Sequence, residues 1–386
     1  MARLFYGNFN VEYELAGRGG SLPAAVRRVS ADLAPVWAAI AEETDAIYAP
    51  EPFDDEWPEL LKAAGLAAAT VMGDTELGKH RFDLCVWGWS SNAVEWGIQR
   101  NLAFHHPPLD AVRTANSRVF SLDLEREWNV GLPGSAIVRS SDHLRAALDR
   151  LPASCERWVL KAEFGMSGRE RIRGHGRDLS ESARNWVQRR FRRNETMVLE
   201  PWVERIAEAG LQFTISESGV VELEGVTGLL VDESGAYRGS RFDAAVQTDG
   251  RWATAIAVAT RAAERIQQLG YFGPLGIDAV EYRDADGQPR VRPLQDVNAR
   301  FTMGRLALGF RKLLRPGEAG LWLHQRWPGG DEGTTRRNFE RYCATLPASF
   351  RAVRTSPFRI GDRPVQHGTV LLMGNDRDLT DVVANR

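Results

Sequence analysis

The plainest chemistry in the 386-residue chain lies in two acidic segments near residues 278 and 296. Residues 275–282 and 290–298 flank Asp284-Ala285-Asp286-Gly287, a turn-forming cluster, so they are expected to pair as a β-hairpin. Folding about that turn brings Asp278 within a residue or two of Asp296. Asn298, two residues on, shares the Asp296 face. Carboxylates brought together on a half-buried sheet repel, and a divalent cation resolves the conflict. Carboxylate and amide oxygens are the hard ligands that Mg²⁺ takes, completed by phosphate and water. The competing interpretation, with equal weight on the residues alone, is two exposed strand acids on unrelated faces.

Two further groups are suggestive in combination. Lys161, on an expected strand, precedes Gly165-Met166-Ser167-Gly168. Free backbone N–H groups of such a loop can cradle phosphate oxygens, with the ammonium supplying charge. No GK[ST] is present, so this is not a Walker A loop, and a solvent-facing lysine before a hairpin turn explains the same residues. Leu199-Glu200-Pro201-Trp202-Val203 suits a connector whose backbone could meet an adenine edge. A buried strand end with Trp202 as a core aromatic is the simpler account of it.

The elements that must position these groups follow from periodicity and breakers. Strands are expected at 3–9, 46–49 and 83–87, with a helix over 22–43, which makes an α/β module of residues 1–110. No GxGxxG follows a strand, so the dinucleotide fingerprint is absent. His105-His106-Pro107-Pro108 forms a connector, and the two histidines receive no catalytic role. Helices are expected at 110–128, 141–151, 180–193 and 253–269, and strands at 135–139, 158–164, 169–173, 196–203, 211–217, 220–230, 276–282 and 291–297. A tail helix at 335–345 and a strand at 368–373 complete the chain. Trp87-Gly88-Trp89 and residues 92–96 follow a buried strand, where an aromatic-lined pocket and an aromatic domain contact are both open readings.

Composition bounds the function. A net charge of −2 gives no field for nucleic acid, and no apolar run reaches the ~20 residues that span a bilayer. The N-terminus lacks signal-peptide character, and Cys85, Cys155 and Cys343 are scattered, which suits a cytoplasmic protein with no membrane partner. A homodimer stays open.

Taken in order, lysine strand, glycine loop, connector and acid hairpin ending Asp-x-Asn resemble the ATP-grasp superfamily, with D-alanine–D-alanine ligases, biotin carboxylases and carbamoyl-phosphate synthetases as the points of likeness. The residues that carry it are WVLKAEFGMSG (158–168), VLEPWV (198–203), GLQFTI (210–215), GPLGIDAVEY (273–282) and PLQDVNARFTMG (293–304). The resemblance covers roughly residues 110–310. It implies a pre-ATP-grasp α/β domain at 1–110, a first lobe with the glycine loop at 111–197, and a second lobe with the metal-binding hairpin and C-terminal extension at 198–386.

Residue by residue, the resemblance implies that Lys161 and Arg118 touch phosphates and that Ser167 and Gly168 cover them. Glu200 and the Pro201 carbonyl would receive the adenine amino group, Trp202 would lie in the same adenine segment, and the Val203 N–H would meet a ring nitrogen. Gln212 would face the ribose. Asp278, Asp296 and Asn298 would hold two Mg²⁺ ions, and Arg300 would face the transferring phosphoryl group. Three departures stand out: Asp296 replaces the commoner glutamate, Gln212 is not an anion, and 204–210 is longer than the usual turn. The implied activity is an ATP-dependent ligase that joins a small-molecule carboxylate to an amine or other nucleophile. An ATP-grasp phosphotransferase and a non-catalytic ATP-binding regulator are the alternatives. The complete acid–acid–amide set argues against the regulator.

Overall fold

The computed structural model describes residues 2–18, 24–78, 80–165, 170–327, 330–375 and 379. The N-terminal part is a parallel sheet of β1 (Arg3–Tyr6), β2 (Ala46–Tyr48), β3 (Thr70–Met72) and β4 (Asp83–Val86), in the order β3-β2-β1-β4. Strand β3 is three residues long and escapes a periodicity reading. The expected helix over 22–43 is instead Ala24–Leu33 followed by a 3₁₀ segment, Ala34–Ala39. Pro35 explains the change, because it lacks the N–H that would continue the α-helix. The 110–128 region likewise divides, into Leu109–Ala115 and Arg118–Trp128, with Ser117 capping the second helix through its side chain.

A small antiparallel sheet follows: β5 (Ala136–Val138), β6 (Arg157–Ala162), β7 (Arg171–His175) and β8 (Met197–Pro201), ordered β5-β8-β6-β7. Strand β8 pairs with β5 and β6, so residues expected to open the second lobe complete the sheet of the first. One face carries Trp158, Leu160 and Leu199 into a core of its own with Val187 and Leu148. That core is separate from the main one.

The large sheet has eight strands: β9 (Glu204–Ile215), β10 (Val221–Val231), β11 (Tyr237–Phe242), β12 (Gly273–Arg283), β13 (Pro289–Asn298), β14 (Glu318–Arg326), β15 (Arg351–Arg354) and, after a short ribbon of β16 (Arg359–Ile360) and β17 (Arg363–Pro364), β18 (His367–Asn375). Their order is β13-β12-β9-β10-β11-β14-β18-β15. Residues 204–210, where the resemblance implies an extended turn, are strand: they pair with residues 278–283 of β12. Ala207 and Ala209 keep that pleat, and a bulge at Ile206 shifts Arg205 off it. The helix Ala253–Gln268 lies against the sheet through Ala255, Ala259, Ala262, Ala263 and Ile266, small side chains that let the backbone approach closely. Phe5, Trp37 and Trp87 of the N-terminal part share one core with Leu211, Phe213, Ile277 and Trp322 of the large sheet. The N-terminal part and the large lobe are thus one packed body, with the small lobe set upon it.

Candidate active site

The acid hairpin forms, and its register puts Asp278 directly opposite Asp296. The turn at 284–287 is closed by Asp284, whose N–H donates to the Gln288 carbonyl and whose side chain caps the N–H groups of Asp286 and Gln288. Between the pairs Val280–Arg292 and Asp278–Asp296, β13 contains two more residues than β12. Pro293 sits in that bulge, where its missing N–H does no harm. A two-residue shift conserves the alternation, so Arg292, Asp296 and Asn298 still point to one face, together with Asp278.

Around the pair, Arg118 donates to Asp296 Oδ2 at 2.9 Å and also to the carbonyls of Ala162 and Gly165. Arg300 donates to Asn298 Oδ1 at 2.8 Å, to Glu12 Oε1 at 2.6 Å and to the Phe301 carbonyl. Asp278 is half-buried, and among the described residues no cation lies within ion-pairing distance of it, although the Arg300 charge and a hydrogen bond with Asn298 act on it. Burial, then the charges of Asp296 and Glu208, push its carboxyl up to about 8. Two acids forced together beside an amide oxygen, one of them held out of its ionised form, make a donor set that fits Mg²⁺.

These residues line one cleft with Lys161, Gly165, Arg171, Arg205, Glu208, Gln212 and Tyr237, and with Phe9, Leu33 and Trp87 from the N-terminal part. Trp87 packs on Phe9 at 4.8 Å between ring centroids, and the Arg300 guanidinium lies 5.4 Å from its ring. The aromatic segment after β4 thus belongs both to the core and to the cleft wall.

The connector behaves differently from expectation. Glu200 is buried, with Oε2 at 2.7 Å from Lys161 Nζ and Oε1 accepting from Arg292 at 3.0 Å. Arg292 in turn grips both oxygens of buried Glu125, at 2.6 and 2.9 Å. Burial pushes the Glu200 carboxyl up, but Arg292 and Lys161 outweigh it and hold the group well below the usual carboxylate range. Both Glu200 oxygens are therefore engaged within the protein. Pro201 pairs with Trp158, and the Trp202 N–H donates to the Arg157 carbonyl. None of Glu200, Pro201, Trp202 and Val203 is among the residues lining the cleft. A buried carboxylate demands partners, and the Lys161–Arg292 pair meets that demand before any ligand can.

Gln212 lines the cleft but is buried, its Oε1 accepting from the Thr302 hydroxyl at 2.7 Å. Glu208, four residues earlier on the same face of β9, presents the anion that Gln212 lacks. Strand alternation back from Gln212 would have found it. Ser167 and Gly168 lie outside the described residues. Just after them Glu170 is held by Arg190 and, at 3.2 Å, by Arg18 of the N-terminal part. Arg292, Glu12, Arg171 and Arg205 were not singled out in the sequence. Arg292 shares parity with Asp296, which is the one signal it carried.

No family model matches the chain. It is 30% identical over 171 residues to the [butirosin acyl-carrier protein]–L-glutamate ligase of Niallia circulans, a match that covers 43% of this chain and 37% of that protein. The chain thus spans little more than a third of that relative. It is 26% identical over 271 residues to the cycloserine biosynthesis protein DcsG of Streptomyces lavendulae, covering 66% of this chain and 90% of that one. Among solved structures, the carboxyaminoimidazole ribonucleotide synthase of Aspergillus clavatus complexed with ATP superposes with a TM-score of 0.56 at 11% identity, over 100% of this chain and 99% of that one. Among the described residues no helix is long and apolar enough to cross a membrane.

Proposed function

We propose that the chain is an ATP-grasp enzyme, an ADP-forming, Mg²⁺-dependent ligase that activates a carboxylate as an acyl-phosphate and joins it to an amine, a reading the relatives and the fold support. The observation that carries this reading is the facing pair Asp278–Asp296, of which Arg118 compensates only Asp296, set in one cleft with Asn298 and Arg300. Mg²⁺ held by Asp278, Asp296 and Asn298 would neutralise the triphosphate, with room in the donor set for two ions.

The protein's own part is to place charge and exclude water. Glu12 and Asn298 fix the Arg300 guanidinium from two sides, which aims a preorganised cation at the transferring phosphoryl group. Arg118 spans from the Gly165 carbonyl to Asp296, tying the start of the glycine loop to the acid hairpin. Phe9, Leu33 and Trp87 form an apolar wall beside Arg300, and the separately packed small lobe covers the opposite side. The carboxylate would lie against that wall. In the same reading residues 1–110 are the pre-ATP-grasp domain, and the small lobe runs on to Pro201, past the 197 boundary, because β8 completes its sheet.

The name of the Niallia relative makes L-glutamate and carboxylates carried on an acyl-carrier protein the first substrates to try. The protein is incubated with ATP, Mg²⁺ and paired carboxylate and amine pools, and the products are weighed. ADP, phosphate and an amide are expected, with oxygen-18 passing from the carboxylate into phosphate. AMP with pyrophosphate contradicts the mechanism. ADP with a phosphorylated, uncondensed product favours a phosphotransferase.

A further inference from the structure

The small lobe presents a surplus of positive charge to the cleft, and it does not come from Lys161. Register pairs Lys161 with Arg171 and Val159 with Arg173, so the two arginines share the cleft-facing side of the small sheet with the lysine. The Lys161 ammonium is committed to Glu200 and buried. Three guanidinium groups, of Arg171, Arg173 and Arg205, instead gather over the Trp202 ring, 5.8, 5.2 and 4.5 Å from its centroid. Glu208 pairs with Arg205 at 2.8 Å, and among the described residues no carboxylate lies within ion-pairing distance of Arg171 or Arg173. The indole face offsets part of the repulsion. Burial, then Arg205, Arg173 and Arg118, hold the Arg171 pKa below its ordinary value. Arg171 and Arg205 line the cleft with Asp278 and Asp296, whereas Arg173 does not.

We propose that Arg171, backed by Arg205, binds the nucleotide's phosphates from the small-lobe side of the cleft, beside the place the family resemblance assigns to Lys161. This rests on the nucleotide reading above. A guanidinium offers a planar fork that matches two phosphate oxygens, and a crowded cationic cluster gains most when an anion enters it. The Arg171 side chain also donates to the Ser234 carbonyl, in the turn between β10 and β11, which fixes its reach across the cleft.

The test is calorimetric binding of ADP, adenosine and inorganic tripolyphosphate to the full chain with Mg²⁺. Arg171→Gln is expected to weaken ADP and tripolyphosphate about 10- to 100-fold, the worth of a hydrogen bond to a charged group, and to leave adenosine within about twofold. Arg173→Gln, on the same indole but outside the cleft, is expected to leave ADP within about twofold. Should Arg171→Gln fail to fold, Arg171→Lys keeps the charge without the fork and is expected to give a smaller loss in the same direction. If wild type binds ADP and the Arg171 variants bind it equally well, the proposal falls and the nucleotide reading stands. If wild type binds neither ADP nor tripolyphosphate, both fall.

Discussion

Two clusters of charge adjoin along one face of β13, and they are built on opposite plans. Where the lobes meet, Lys161 and Glu200 of the small sheet, Arg292 of β13 and Glu125 of the helix Arg118–Trp128 form a chain in which each charge has a partner. In the large lobe, Asp278 and Asp296 oppose each other, and Arg118 compensates only the second. The first arrangement has its charges paired without a ligand. The second is incomplete, and the missing charge defines what the site binds. A charged residue at a family motif position is therefore informative about ligands only where the protein has left it unpaired.

The largest effect expected from this contrast is on turnover. Asp296→Asn should lower turnover by on the order of 10²–10³, as loss of a charge-stabilising group does, while circular dichroism and the melting temperature hold. Full activity would place the acid pair outside the mechanism.

Removing one member of the closed chain should do the reverse. Arg292→Met leaves Glu125 and Glu200 short of partners and should destabilise by about 3–5 kcal/mol in denaturant titration. Glu200→Gln should act in the same direction, since it leaves Lys161 and Arg292 facing each other with less opposing charge. A Glu200→Gln variant of unchanged stability but much weaker adenosine binding would restore Glu200 as an adenine ligand.

The third difference is in pH. Folding raises the Asp278 carboxyl from its ordinary 3.8 to about 8, so the folded state holds that proton more tightly than the unfolded one. The associated stability is fully present below about pH 4 and is lost as pH rises through about 8. Metal-free wild type should therefore lose stability across that window relative to Asp278→Asn. Mg²⁺ should stabilise wild type more at pH 8 than at pH 6. Parallel pH curves for the two proteins would show that the pair is not strained.

The smallest effect concerns Gln212. Its bond to Thr302 is a buried neutral pair, and Thr302→Val should cost about 1–3 kcal/mol with little change in the affinity for ATP. Glu208→Gln should instead weaken ATP binding several-fold with stability retained, measured by the same titrations.

The hairpin was legible because turn residues and strand parity are local signals, and the two-residue bulge at Pro293 happens to conserve parity. Helix Ala253–Gln268 and the strands bearing Lys161 and Asp278 were legible for the same reason. The role of Glu200 was not, because its fate depends on Arg292, 92 residues away in the chain, reaching it through a tertiary contact. Glu12 was invisible in the same way: its link to Arg300 joins residues 288 apart. The β-character of 204–210 is hidden because Glu204, Arg205 and Glu208 break the apolar alternation, and the apolar pattern over 22–43 masks the break at Pro35.

The facing acids are expected to act as a cation centre for the nucleotide. Calorimetry of ADP binding with and without Mg²⁺, in wild type and in Asp278→Asn, measures this. The expected result is that Mg²⁺ tightens ADP binding to wild type by about tenfold or more, roughly 1.4 kcal/mol, and has little effect on the variant. ADP affinity that responds to Mg²⁺ equally in both proteins, or in neither, would contradict it.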